Sequence, residues 1–240
     1  MKIKILFEDE DLAVLDKPAG IVVNRAVSVK GETIQDFVEE NIKLKAMFGD
    51  STDFLSRSGV VHRLDKDTSG VLLIAKNTAS FVSLQSLFKE RKISKKYKAL
   101  VHGKVIPESG EIKAPVGRLP WNRERFGILS EGKEAQTGYR ALFFYEFEKQ
   151  LFSLLEVSPY TGRTHQIRIH LKYIGHSIVS DKFYAGRKTY RQDLTFCPRL
   201  FLHASNLKFK HPVTGLDIEI ISGFPEDLLG VLLKMSKLDK

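Results

Sequence analysis

VHRLDKDTSGVLLIAK, residues 61–76, sets the charged side chains Arg63, Asp65, Lys66 and Asp67 directly ahead of an apolar run at 71–75. That run, stopped by Asn77, predicts a short buried strand. A carboxylate crowded by cations is either a solvated ion pair or a reactive group held ionised. On the N-terminal side, KIKILFED and LAVLDKP predict two strands about an acidic turn at Glu8–Asp11. Thr33 is expected to cap a helix carrying Ile34, Phe37, Val38 and Ile42, and Thr78 a second helix carrying Phe81, Leu84 and Phe88. On the C-terminal side, KKYKALVHG (95–103) alternates like a strand. Residues 114–134, rich in Gly, Pro and Arg, predict a long basic loop or an extended hairpin. Strands are predicted at 137–147 and 151–157, a helix over TGRTHQIRIHLKYIGH, a closing hairpin across His211–Gly215, and a terminal helix in FPEDLLGVLLKM. No regular βαβ alternation appears. The expected class is α+β, one catalytic domain over residues 1–240 on a largely antiparallel mixed sheet with flanking helices.

The chain of 240 residues is 42% hydrophobic and 28% charged, which supplies a sizeable core. No apolar run approaches the ~20 residues that span a bilayer, and the acidic turn after MKIKILF does not read as a secretion signal. A single cysteine, Cys197, excludes an intrachain disulfide and a cysteine-based zinc cluster, so a cytoplasmic location is expected. A net charge of +9 favours a polyanionic partner.

Seven histidines invite a metal, yet His165 and His170 belong to no HExxH or Cys-His cluster, and local hydrogen bonding or phosphate contact is the expected role. Neither GxxxxGK[ST] nor GxGxxG is present, so no phosphate-cradling loop is expected. Cys197 reads as a packed small residue. Asp65 and Asp67 are not read as a glycosidase-like acid pair; one acts alone, or neither does. A lone carboxylate nucleophile needs a nearby cation and a substrate brought to it.

HRLDKDTSG (62–70) followed by VLLIAKN closely resembles the signature of RluA-type pseudouridine synthases. The resemblance extends to ILFEDEDLAVLDKPAG (5–20), KKYKALVHG (95–103), LLEVSPYTGRTHQIRIHLKYIGHSIVSDKFYAG (154–186) and LHASNLKFKHPVTG (202–215), in the family's order. Two departures stand out: Val23-Asn24-Arg25 where many members continue Val-His-Pro, and Ser180 where a glycine commonly precedes the aspartate. Many relatives carry a small S4-type module ahead of the catalytic part; none is expected in this chain.

The resemblance implies isomerisation of uridine to pseudouridine in RNA, a ribosomal or transfer RNA stem-loop, with no cofactor and no metal. It makes Asp65 the catalytic aspartate, attacking C1′ or C6 or supporting a glycal route. It makes Tyr97 the tyrosine stacked on the target base, and Arg168 the arginine that keeps Asp65 ionised. Arg63, two residues before Asp65, is expected on the same strand face, entering the helix where the uridine leaves. Arg118, Arg123, Arg125, Lys133, Arg163, His165, Arg187 and Arg191 are the candidate RNA contacts that together account for the charge. A monomer is expected. Two other readings, a non-catalytic RNA-binding relative and a nucleoside or glycan hydrolase, lack respectively a missing catalytic residue and a second placed carboxylate.

Overall fold

The apolar run behind the charged turn forms the expected strand, buried along its whole length. The computed structural model describes residues 1–27, 29–45, 52–120 and 122–239, and all their side chains but those at 123 and 124. In chain order the elements are β1 (Lys4–Glu8), β2 (Leu12–Lys17), α1 (Ile34–Asn41), α2 (Thr52–Ser56), β3 (Ser69–Ala75), α3 (Thr78–Lys89), β4 (Ser94–His102), β5 (Ser109–Lys113) and β6 (Val116–Leu119). They continue with β7 (Asn122–Ile128), β8 (Gln136–Phe147), β9 (Gln150–Pro159), α4 (Gln166–Tyr173), α5 (Arg187–Asp193), β10 (Leu202–Lys210), β11 (Asp217–Ile221), α6 (Glu226–Leu233) and β12 (Ser236–Leu238). The chain forms two compact units, Met1–Ser94 with Ala204–Ser222, and Lys95–His203 with Gly223–Lys240.

In the first unit, β2 runs antiparallel between β1 and β3, with Leu12 opposite Ala75 and Lys17 opposite Gly70. β10 follows β3 in the sheet, and β11 closes antiparallel on β10. Leu12, Val14, Leu73, Phe81, Leu84, Leu207 and Phe209 share one buried cluster. Thr33 caps α1 with a full capping box, its hydroxyl accepting from the Asp36 N–H while Asp36 reaches back to the Thr33 N–H. The α3 cap is Asn77 and not Thr78: Asn77 keeps extended backbone angles and its side-chain oxygen accepts the Ser80 N–H at 2.8 Å, while Thr78 is already helical. Gly70 is required by close approach. A Cβ there would meet the Ala204 carbonyl oxygen at 2.2 Å, at a φ of +113°.

In the second unit the order is β4, β9, β8, β12, with β5 also on β8 and with β6 and β7 forming a separate hairpin. All of these pairings are antiparallel, as expected. Leu100, Val101, Phe144, Phe152, Leu155, Ile167, Leu171 and Phe201 belong to its core. The basic segment at 114–134 thus contains the β6–β7 hairpin. The helix expected over TGRTHQIRIHLKYIGH starts only at Gln166, because His165 adopts the left-handed region at φ +55° and the preceding residues turn. Four short elements escaped the sequence reading: α2, β5, α5 and β12. None carries a full apolar period. Cys197 is fully buried, and burial pushes its thiol pKa up to about 11, as suits a packing residue.

Candidate active site

Asp65 lies in the irregular segment between α2 and β3. The Thr68 N–H donates to the Asp65 carbonyl at 3.1 Å, closing a turn through Lys66 and Asp67. Arg63 and Asp65 therefore do not share a strand face by alternation; Arg63 is exposed and Asp65 half-buried. Both ends of the turn are anchored. Upstream, Val61 and Leu64 are buried, His62 Nε2 accepts the Leu73 N–H at 2.9 Å, and the imidazole lies 4.6 Å from the Phe88 ring. Downstream, the fully buried Lys17 donates from Nζ to the carbonyls of Pro18 (2.8 Å), Lys66 (3.0 Å) and Thr68 (2.9 Å). The Gly20 N–H adds a bond of 2.8 Å to the Lys66 carbonyl. A buried ammonium is costly unless acceptors surround it, so these carbonyls are held where the cation needs them. Asp65 thus sits on a turn that is rigid at both ends.

Tyr97 stands on β4 opposite Val157 of β9, half-buried against the core that includes Leu155, Ile167 and Leu171. Arg168 is in the first turn of α4 and is buried. Its Nε and Nη2 fork onto Asp181 Oδ2 and Oδ1, each at 2.8 Å. Asp181 Oδ1 also accepts the N–H groups of Phe183 and Tyr184 at 2.9 and 3.1 Å. The guanidinium carbon lies 5.3 Å from the Phe183 ring and 5.1 Å from the Tyr184 ring. Asp65 belongs to the first unit; Tyr97 and Arg168 belong to the second.

The rest of the TGRTHQIRIH motif is scaffold for that arginine. The buried Gln166 donates to the Gln136 carbonyl and Thr137 hydroxyl at 3.0 and 2.9 Å. It accepts from the Thr161 hydroxyl and the Arg163 N–H at 2.7 and 3.0 Å, which exhausts an amide's hydrogen-bonding capacity. His170, fully buried, bonds Thr137 through Nδ1 and the Ala114 carbonyl through Nε2, both at 2.9 Å. A carbonyl can only accept, so Nε2 carries the proton and Nδ1 accepts from the hydroxyl. Burial pushes the His170 pKa down. His211 likewise uses both nitrogens inside the fold, Nε2 toward Asp9 at 2.9 Å and Nδ1 as acceptor of the Val213 and Thr214 N–H groups.

The candidate RNA contacts fall into two groups. Arg118 on β6 and Arg125 on β7 are exposed, their guanidinium carbons 5.2 Å from Phe126 and 6.0 Å from Phe183. Arg187 and Arg191 are exposed on α5. Arg123 lies on the same hairpin, with its side chain outside the described residues. Arg163 and His165 are more enclosed. Arg163 Nε donates to the Glu134 carbonyl at 3.1 Å. His165 Nδ1 meets the Tyr184 hydroxyl at 2.9 Å, with the Phe126, Phe183 and Tyr184 rings within about 6 Å. Exposed cations stacked on aromatic faces suit a polyanion carrying planar bases.

The family model for RNA pseudouridylate synthases matches residues 11–173. The chain belongs to that family. Among its relatives, an uncharacterized RNA pseudouridine synthase of Aquifex aeolicus is 41% identical over 89% of this chain and 66% of its own length. The ribosomal large subunit pseudouridine synthase D of Pseudomonas aeruginosa is 37% identical over 97% of this chain and 71% of its own. The solved structure of human RNA pseudouridylate synthase domain containing 1 superposes with a TM-score of 0.75 at 26% identity, over 99% of this chain and 89% of that one. The RluA type expected from the motifs holds, and isomerisation of uridine to pseudouridine in RNA is the chemistry this pseudouridine synthase performs.

Lys17 and Asp181 escaped the sequence reading, although both lie inside motifs that carried it. Their signal was a charged residue type in an otherwise apolar or small-residue context, but their partners are far along the chain. The two departures also have local explanations. Ser180 has φ +57°, a conformation glycine takes without Cβ cost, and its hydroxyl donates to the Cys197 carbonyl at 2.7 Å. Arg25 donates to Asp36 at 2.7 Å and to Glu39 at 2.8 Å, so its charge is already compensated by α1.

Proposed function

We propose that this chain modifies one uridine in a structured RNA stem-loop, acting as a cytoplasmic monomer whose 240 residues work as one catalytic domain. Ribosomal RNA is the first candidate substrate, because the Pseudomonas relative is named for the large ribosomal subunit; transfer RNA is the second. Asp65 supplies the carboxylate, Tyr97 stacks on the base and assists at C5, and Arg168 is the site's fixed cation. In the reaction the C1′–N1 bond breaks, the uracil turns, C5 bonds to C1′, the C5 proton leaves and N1 takes up a proton. A carboxylate suits this because it serves as nucleophile, then as leaving group, and as base. No cofactor is consumed. Arg63 acts when the uridine leaves the helix, a step that costs a few kcal/mol of unstacking.

What carries the reading is the turn at Asp65: a half-buried carboxylate on a turn tied down by a buried ammonium, inside the segment matched to the family. A solvated surface aspartate has no use for such an anchor. The test is pseudouridine mapping across total RNA with and without the gene. One or a few positions should lose their pseudouridine, and the purified protein should restore it on a transcript containing that stem-loop. An unchanged map, with no conversion by the purified protein, would overturn the proposal.

A further inference from the structure

β4 sorts its lysines by face. Lys96 and Lys98 point to the side where Glu156 of β9 receives them at 3.5 and 3.1 Å, joined by Arg140 of β8 at 3.1 Å. Burial pushes the Glu156 carboxyl up, but Lys98, Arg140 and Lys96 outweigh it and hold the pKa below the ordinary value. Side chains alternate along a strand, so Lys95 shares the opposite face with Tyr97 and the buried Ala99. Lys95 is half-buried, and burial pushes its ammonium pKa below the usual lysine value.

We propose that Lys95 is a further catalytic cation of the isomerisation, directed at the uracil oxygens of the base that Tyr97 stacks upon. This deepens the reading above and rests on it. Two residues along a strand span about 6.6 Å, and lysine has a flexible four-carbon stem, so its ammonium reaches the edge of a ring lying on Tyr97. The chemistry calls for a cation at that edge. When the C1′–N1 bond breaks, its electron pair passes to the uracil and spreads over N1, O2 and O4; addition at C6 instead places the charge on O4. Either way a fixed positive charge lowers the barrier, and it does so most where water is excluded. Phosphate binding is better served by exposed cations such as Arg118 and Arg125.

The experiment uses the full chain and the stem-loop identified by pseudouridine mapping, with single-turnover rates at saturating RNA and binding measured separately. Lys95→Met should slow the chemical step by about 100-fold, the loss typical of one missing donor at a developing oxyanion. RNA affinity and melting temperature should be unchanged, and Lys95→Arg should recover most of the rate. Lys95→Met turning over like wild type would overturn the role. So would a defect that vanishes at saturating RNA, which marks a phosphate contact. A melting temperature lowered in both variants with equal loss of rate marks a packing lysine and overturns it too. Wild-type conversion of the same RNA tests the underlying reading separately, so a failure at Lys95 leaves that reading intact.

Discussion

Asp65 and Lys17 belong to one local device, a half-buried carboxylate on a turn and the buried cation that holds the turn's carbonyls. Asp65→Asn keeps the shape and removes the carboxylate proposed to act in the reaction. Turnover should fall to background while RNA affinity and melting are retained, and measurable turnover in the purified variant would refute the assignment. Asp67→Asn should be far milder, because Asp67 occupies the turn behind it. Lys17→Met leaves three carbonyls without their charged donor. With hydrogen bonds to charged groups contributing about 1.5–3 kcal/mol each in favourable settings, the net cost should be about 2–3 kcal/mol. Urea unfolding at neutral pH reads that loss directly. A variant with wild-type stability would show that the anchor is dispensable.

At the scale of elements, the β6–β7 hairpin and the N-terminal turn of α4 divide the labour. The hairpin presents cations outward on aromatic faces, whereas the α4 turn uses Gln166, Thr161, Thr137 and His170 to set Arg168 in place. If the hairpin arginines contact phosphates, log K for RNA should fall with log salt by about 0.7–0.9 per phosphate engaged. Replacing Arg118 and Arg125 together by Ala should reduce that slope by one or two such contacts and weaken cognate and non-cognate RNA alike. An unchanged slope would mean the hairpin stands clear of the RNA backbone. Loss of discrimination between the two RNAs would mean that it reads bases.

For the whole molecule, His170 ties stability to pH. Its folded pKa lies below the ordinary 6.5, because burial disfavours the charged ring. Below that pH the unfolded chain takes up a proton that the folded chain resists, so this contribution is present above 6.5 and is lost as pH falls toward the folded value. Asp9 acts lower on the scale. Burial pushes its carboxyl up, yet the Asp11 and Leu12 N–H groups and His211 together hold it below 3.8. The melting temperature should therefore decline first as pH falls below about 6.5, ahead of the carboxylates. His170→Gln should flatten that first decline while lowering stability at neutral pH. If the variant keeps the same pH dependence, the decline belongs to another group.

How much of this was legible in the sequence divides by distance along the chain. The strands β1 to β4, the capped helix α1, the closing hairpin and the family motifs depend on neighbours a few residues apart, where alternation, capping and turn chemistry act directly. Asp65, Tyr97 and Arg168 were named from such motifs. Lys17 could not be read that way, because the carbonyls that justify its burial lie 49 and 51 residues onward. Asp181, 13 residues beyond Arg168, became its partner only when the chain turned back after α4. The ring of His165 lies among Phe126, Phe183 and Tyr184, neighbours 18 to 39 residues away that no local pattern records. The sequence by itself determined the α+β class and the family. The tertiary structure decided which charges are buried and paired, because desolvation and hydrogen bonding depend on what surrounds a group in space, and no local pattern records that.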